Sequence, residues 1–206
     1  VPAYSDLLEE FCAALDLGDE VTVVGNSMGG YIAADLATRR PSWLKRLVLV
    51  SPAGVLHARL NPTVAVALAS AAALTAKVGH HYRRASLTRP RLRRMAFGEV
   101  FHYPELLRME LLWEFMSHAV EAPGFLSAVR AMVTYEGFLD RLPEIEAPTL
   151  IVWGRNDHVV FAHDAPDWER LIEGLELHVY ARTGHCAMAE RPVRFNRELE
   201  AFLQTT

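Results

Sequence analysis

The sequence lacks the features that mark disulfide-rich secreted, membrane-spanning or nucleic-acid-binding proteins. Its 206 residues include two cysteines, Cys12 and Cys186, which cannot form a disulfide framework and fit a reducing compartment. No stretch reaches the roughly 20 apolar residues that span a bilayer. The most apolar run, residues 64–76, is short and rich in alanine, which favours a buried helix. The net charge of −4 gives no general affinity for nucleic acid. We therefore expect a cytoplasmic protein with neither a membrane span nor a nucleic-acid partner.

Residues that could bind a metal ion do not form a recognisable cluster. His80 and His81 are adjacent, so their side chains would point apart in a helix or a strand, and no group of carboxylates accompanies them. We expect no metal and no cofactor.

The length and the 51% hydrophobic content indicate one domain, or one domain with an insertion. Four apolar segments alternate with helix-like segments, which is the pattern of a parallel α/β sheet. The second segment is apolar throughout, as expected of a strand covered on both faces. The predicted strands are Val21–Val24, Leu47–Val50, Pro148–Trp153 and Leu175–Tyr180.

The first helix is predicted at Asp6–Leu17, with Ser5 as its N-cap and Gly18 as its stop signal. Its larger apolar residues fall on one face, which we expect to be buried: Leu7, Leu8, Phe11 and Leu15.

Residues 52–147 interrupt the alternation of strands and helices. They show helical periodicity without a convincing strand, and candidate helices lie at Arg91–Phe101, Pro104–Val120 and Gly124–Leu139. We expect an α/β core formed by residues 1–51 and 148–206, with residues 52–147 inserted between two strands as a helical cap or lid.

The segment Gly25-Asn26-Ser27-Met28-Gly29 joins the first strand to a helix. A serine in such a turn adopts a strained backbone conformation, and its neighbours must be small; we expect Gly25 and Gly29 to supply the space. The turn would present the Ser27 hydroxyl at the start of the helix. There the Met28 N–H and the helix dipole can stabilise a developing oxyanion.

A serine hydroxyl needs a base to become a nucleophile, and the base needs an acid to orient it. Asp157 follows the third predicted strand and His185 follows the last, so both would lie with Ser27 at the carboxyl edge of the sheet. Each has an ordinary alternative, because Asp157 could be a solvated loop carboxylate and His185 a surface histidine. Of nine histidines, only His185 follows the final strand beside a glycine.

Three segments together resemble the catalytic motifs of the α/β-hydrolase family. They are Gly25–Gly30, Gly154–Val160 and Gly184–His185, and the resemblance covers residues 5–203, the second half of that fold.

The resemblance implies a role for each matched position. Ser27 would be the nucleophile, His185 the general base and then acid, Asp157 the orienting acid, and the Met28 N–H part of the oxyanion hole. We also assign to the substrate site three residues in or beside these motifs, Asn26, Val160 and Cys186.

The family's sheet normally begins with several strands before the nucleophile strand, and an earlier His-Gly loop supplies a second oxyanion N–H. No His-Gly occurs in this chain. We expect the chain to be the C-terminal portion of a longer hydrolase, with the rest of the fold in the same polypeptide. A homodimer is left open.

The reaction we expect is hydrolysis of a carboxylic ester of a small to medium apolar substrate through an acyl-enzyme. The runner-up is C–C bond hydrolysis of ring-fission products of aromatic degradation, because the Ser27 motif is also similar to that of those hydrolases. They usually carry tryptophan after the catalytic histidine, where this chain has Cys186. A binding module without catalysis is a further alternative.

Overall fold

A four-stranded parallel sheet forms the core of the protein. The computed structural model describes residues 1–55, 63–64, 66–67, 70, 87–121 and 124–204. The strands lie side by side in chain order, each parallel to the next. They are β1 (Val21–Asn26), β2 (Leu44–Val50), β3 (Thr149–Gly154) and β4 (Glu176–Tyr180). This confirms the predicted parallel α/β sheet.

Helices flank the sheet and also form the described part of the segment between β2 and β3. In chain order they are α1 (Pro2–Ala14), α2 (Met28–Ala37), α3 (Pro90–Phe97), α4 (Met109–Glu121), α5 (Phe125–Val133), α6 (Phe138–Arg141), α7 (Ala165–Leu171), α8 (Ala187–Glu190) and α9 (Pro192–Gln204). Among the described residues, no helix is long and apolar enough to cross a membrane.

Alternate residues of β2 and β3 belong to two apolar clusters, because successive side chains of a strand point to opposite faces. On one face Leu47, Leu49, Ile151 and Trp153 pack in a cluster with residues of α2 and with Trp168 of α7. On the other face Val48, Val50, Leu150 and Val152 pack with Phe195 and Phe202 of α9. Both faces are therefore covered, which explains why Leu47–Val50 and Leu150–Trp153 are apolar throughout.

Helix α1 differs from the prediction in both its start and its buried face. Ser5 is not an N-cap but lies inside the helix, fully buried, where its Oγ donates to Asp35 Oδ2 of α2 at 2.6 Å. Leu7 and Phe11 remain more than half exposed. The helix packs through Ser5 because the buried Asp35 carboxylate requires hydrogen-bond donors, and this requirement outweighs apolar periodicity.

The described residues between β2 and β3 contain helices and short 3₁₀ turns but no strand. Phe138, Leu142 and Ile145, at the end of this segment, pack in the main core cluster beneath the sheet. A separate cap at residues 52–147 stays a prediction. His80 and His81 lie outside the described residues.

Candidate active site

Ser27 occupies a strained turn between β1 and α2. Its backbone has φ +55° and ψ −120°, a region that non-glycine residues adopt at an energetic cost. The neighbouring strand holds the turn: the Ser27 N–H donates to the Val50 carbonyl at 3.0 Å, and the Ser27 carbonyl accepts from the Ala53 N–H at 3.0 Å. The strain predicted from the sequence is therefore present at Ser27.

Only one of the two glycines expected to make room for the turn does so. A Cβ at Gly25 would overlap the Gly29 carbonyl oxygen, whereas a Cβ at Gly29 would meet no atom of the described residues within 4 Å. The prediction for Gly29 is wrong because the position of its missing side chain is open space among the described residues. The second tight position is Gly30, where a Cβ would lie 2.9 Å from Pro52 Cβ.

Met28 is the first residue of α2, directly after Ser27. The first N–H groups of a helix have no carbonyl acceptor within the helix and carry the positive end of its dipole. The Met28 N–H therefore lies at the positive end of the α2 dipole, while its partly buried side chain packs against the core. A role in an oxyanion hole stays a prediction.

His185 and Asp157 form a buried hydrogen-bonded pair. His185 Nδ1 lies 2.8 Å from Asp157 Oδ2, and the two residues are 5% and 3% exposed. The other carboxylate oxygen, Oδ1, accepts from the N–H of Val159 at 2.8 Å and of Val160 at 2.9 Å. Because a carboxylate oxygen accepts, Nδ1 of His185 carries the proton and donates it to Asp157 Oδ2, which leaves Nε2 of a neutral ring as the acceptor nitrogen.

Main-chain contacts join the loops that carry these residues. The Asn156 N–H donates to the Thr183 carbonyl at 2.9 Å, and a Cβ at Gly154 would overlap the Gly184 carbonyl oxygen. Asn26 connects the serine turn, since its Nδ2 donates to the carbonyls of Val50 at 2.9 Å and of His185 at 3.4 Å. Ser27, Asp157 and His185 are therefore held on adjoining turns at one edge of the sheet.

Cys186 is buried in an apolar cluster formed largely by residues between β2 and β3. Its partners include Phe97, Phe101 and Leu112. Burial, together with the negative charges of Glu190 and Asp157, raises the pKa of the Cys186 thiol to about 12. The thiol is therefore neutral at physiological pH and presents an apolar surface beside His185.

The residues that the sequence assigns to the substrate site, Asn26, Val160 and Cys186, all contact other parts of the protein. The Val160 carbonyl accepts from Trp153 Nε1 at 3.0 Å, and its side chain is 2% exposed in the main core. Asn26 is half-buried and bonded to the two loops described above. A substrate contact for Asn26, Val160 or Cys186 stays a prediction.

Sequence reasoning missed Glu190, the last residue of α8. Its Oε1 accepts from the Gly184 N–H at 2.7 Å, and its Oε2 accepts from the His102 N–H at 2.8 Å. Burial raises the pKa of Glu190, and the main-chain N–H groups of Gly184, His102 and Tyr103 offset part of the rise. The only signal in the sequence is that Glu190 ends the apolar run Cys186–Ala189.

A cavity of about 460 Å³ lies between the segment after α3 and the start of α9. Glu190 lines it together with Tyr103, Leu106, Leu107, Arg108, Leu111, Met188, Ala189, Arg191 and Pro192. Ser27, Asp157 and His185, all within the described residues, do not line this cavity.

Across the described part of the chain, no group of three or more His, Cys, Asp or Glu side chains is placed to hold a metal ion.

The parallel sheet, the strained serine turn and the buried His–Asp pair describe a hydrolase-type α/β fold. A sequence model of the alpha/beta hydrolase family matches residues 1–198. The chain belongs to this family.

The curated relatives include hydrolases that are named for their substrates. The chain is 31% identical over 199 residues to a 2-hydroxy-6-oxononadienedioate/2-hydroxy-6-oxononatrienedioate hydrolase of Paraburkholderia xenovorans, covering 92% of this chain and 64% of the relative. The chain spans about 62% to 65% of the length of the curated relatives that it matches.

Two solved structures share the fold over 98% of this chain. One is a bacterial membrane phospholipase A, with a TM-score of 0.70, 26% identity and 62% of its own chain covered. The other is an esterase from Exiguobacterium antarcticum, with a TM-score of 0.76, 22% identity and 72% of its chain covered.

Proposed function

We propose that the protein is a serine hydrolase that cleaves a carboxylic ester through an acyl-enzyme on Ser27. The observation that carries this proposal is the buried 2.8 Å contact between His185 Nδ1 and Asp157 Oδ2, on a loop bonded through Asn26 to the serine turn. A buried carboxylate that fixes one ring nitrogen of a histidine orients the other as a base.

The proposed reaction has two half-reactions. His185 Nε2 takes the Ser27 hydroxyl proton as Oγ attacks the ester carbonyl carbon, and the resulting oxyanion accepts a hydrogen bond from the Met28 N–H. His185 then gives its proton to the leaving alkoxide, and the C–O bond breaks to leave an acyl-Ser27. Water then gives a proton to His185 Nε2 as it attacks the acyl carbon, and His185 returns that proton to Ser27 Oγ as the acyl C–Oγ bond breaks. This releases the carboxylic acid and restores Ser27. Asp157 stabilises the imidazolium in both steps.

An apolar acyl group is supported by the surroundings of His185. Cys186 follows it directly and packs with Phe97, Phe101 and Leu112, which forms an apolar wall beside the base. The similarity to a membrane phospholipase A also favours an ester, the bond that the name of that enzyme implies.

C–C bond hydrolysis is the second candidate, and a specific observation favours it. The relative from P. xenovorans, at 31% identity, is a hydrolase of a 2-hydroxy-6-oxo dienedioate. The kcat/KM for such a dienedioate can be measured from the loss of its visible absorbance. A value above the kcat/KM for p-nitrophenyl esters would replace the ester assignment with C–C bond hydrolysis.

Labelling with a fluorophosphonate probe, read by intact mass, tests the proposal. The wild type should gain one adduct, and Ser27→Ala should gain none and lose turnover by at least about 10⁴-fold. Ser51→Ala is the matched control, because Ser51 is a fully buried serine directly after β2 whose Oγ has no hydrogen-bond partner among the described residues. A wild-type protein without an adduct or turnover would contradict the proposal and favour a binding module.

A further inference from the structure

The carboxylate of Glu190 joins two segments that are far apart in sequence. One is the loop carrying His185, through the Gly184 N–H at 2.7 Å; the other follows α3, through the His102 N–H at 2.8 Å. A third bond reinforces the junction, since the His185 N–H donates to the Val100 carbonyl at 2.7 Å. The placement of His185 is thereby tied to residues 100–102, in the segment between β2 and β3.

The junction is closely packed and leaves the His185 loop little freedom to shift. A Cβ at Gly184 would lie 2.5 Å from the Val100 carbonyl oxygen, 2.9 Å from the His102 nitrogen and 3.0 Å from Glu190 Oε1. The other side of the same loop packs against Gly154 of the Asp157 loop. A change at Glu190 therefore reaches His185 through a single intervening residue.

The two N–H groups that face the side chain of residue 190 require an acceptor on each side, which a carboxylate provides and an amide does not. Each oxygen of Glu190 accepts from a main-chain N–H, and a carboxylate is an acceptor on both sides. Glutamine has nearly the same shape, but its NH₂ group would face one of the two N–H donors. One donor would lose its partner, and the two segments would separate.

We propose that Glu190 is a positioning residue that sets the orientation of His185 by holding Gly184 against the segment containing His102. This inference rests on the proposed function, in which His185 is the base. A displacement of about 1 Å in a reacting group costs on the order of 10²-fold in rate, so disruption of the junction should lower kcat rather than weaken substrate binding.

The test uses Glu190→Gln in the otherwise unchanged protein. We expect kcat on the best p-nitrophenyl ester to fall about 10- to 100-fold with KM nearly unchanged. The rate of fluorophosphonate labelling of Ser27 should fall by a similar factor. The downfield proton resonance of the His185 Nδ1–H bonded to Asp157 should shift or broaden.

The matched control is Glu198→Gln on α9, which also replaces a carboxylate that accepts several hydrogen bonds. The hydrogen bonds and ion pairs of Glu198 within the described residues go to His178, Tyr180, Arg194 and Arg197, none of which is a residue of the proposed site. This variant should lose thermal stability yet keep wild-type kcat and the same His185 resonance. If Glu190→Gln behaves in this way, Glu190 serves stability alone and the proposal is wrong.

Labelling of the wild type and the His185 resonance of Glu190→Gln separate this inference from the proposed function. An inactive, unlabelled wild type would end the proposed function, whereas an unchanged His185 resonance in Glu190→Gln would end the inference about Glu190. If Glu190→Gln does not fold, Gly184→Ala tests the same junction from the other side. Its Cβ would press on Val100 and Glu190, so the same change in kcat and resonance is expected, and wild-type values would overturn the proposal.

Discussion

At the scale of single residues, the serine turn depends on a missing side chain at Gly25. The Gly29 carbonyl lies where a Cβ of residue 25 would be, so the first turn of α2 passes directly over the end of β1. Ser27 then needs its left-handed φ of +55° to connect the two. The cost of that conformation is offset by the bonds of Ser27 to Val50 and Ala53 in the neighbouring strand and loop.

Gly25→Ala and Gly29→Ala form a pair with opposite expected effects on stability. Gly25→Ala should lower the free energy of unfolding by about 2–3 kcal/mol, because backbone atoms must move to admit the methyl group. Gly29→Ala should be neutral or stabilising by about 0.5 kcal/mol, since alanine is the better helix former and meets no described atom. Urea unfolding curves of the two variants provide the measurement, and equal losses would contradict this account of the turn.

The sequence predicts those residues of the proposed site that follow from a local pattern. Ser27, Asp157 and His185 each follow a strand, and the strands were readable because Leu47–Val50 and Leu150–Trp153 are apolar on both faces. Glu190 could not be found in this way, because its partners are main-chain N–H groups that no side-chain pattern reveals.

At the scale of helices and strands, α1 shows that the spacing of apolar residues does not always predict which face of a helix is buried. Its apolar face predicts burial, yet the buried side chain is Ser5. The cause is Asp35 on α2, which is fully buried and also accepts from Tyr135 Oη at 2.5 Å. A buried carboxylate must be surrounded by donors, and the identity of those donors depends on residues about 30 and 100 positions away in sequence.

The packing of α9 on β4 contains a second carboxylate centre, at Glu198. Its oxygens accept from Arg194 Nε at 2.7 Å and from Tyr180 Oη at 2.6 Å, and lie 2.6 Å from His178 Nδ1. Burial opposes the charged form, but these hydrogen bonds outweigh it and lower the pKa of Glu198 to about 2. The charged carboxylate therefore stabilises the folded state.

The lowered pKa predicts a specific pH dependence for Glu198→Gln. In the wild type the stabilisation is complete above the unfolded-state pKa of about 4.3 and is lost as the pH falls through about 2. At pH 7 the variant should be less stable by about 1–2 kcal/mol, the range for hydrogen bonds to a charged group on a partly exposed site. Unfolding free energies of both proteins from pH 7 to pH 2 should converge at the acid end. A constant difference across that range would contradict the assignment.

At the scale of the whole molecule, the proposed site is assembled from parts that no single segment contains. The serine turn joins β1 to α2, Asp157 follows β3 and His185 follows β4. Residues 100–102 come from the segment between β2 and β3. Glu190 and Asn26 are the side chains that join these parts. Activity should therefore respond to substitutions outside the three reacting residues.

Helix α1 carries an apolar face that the described residues cover only in part. The face consists of Tyr4, Leu7 and Phe11 of the helix and Leu15, which caps its end. They lie three or four residues apart, so they share one side of the helix, and all four are exposed, Leu7 by 59% and Phe11 by 54%. An apolar face of this kind promotes association. We expect the isolated chain of residues 1–206 to self-associate as its concentration rises.

The double variant Leu7→Glu/Phe11→Glu tests that expectation. Each side chain would gain about 1 kcal/mol from the burial of its exposed half on association, so the loss of both should weaken self-association by at least about tenfold. Val193→Glu is the matched control, because Val193 is an apolar residue on α9 that is 83% exposed, and its variant should associate like the wild type. Sedimentation velocity over a concentration series distinguishes them. If all three proteins sediment as monomers at every concentration, the face on α1 does not drive association; if Val193→Glu also dissociates, net charge rather than the α1 face controls it.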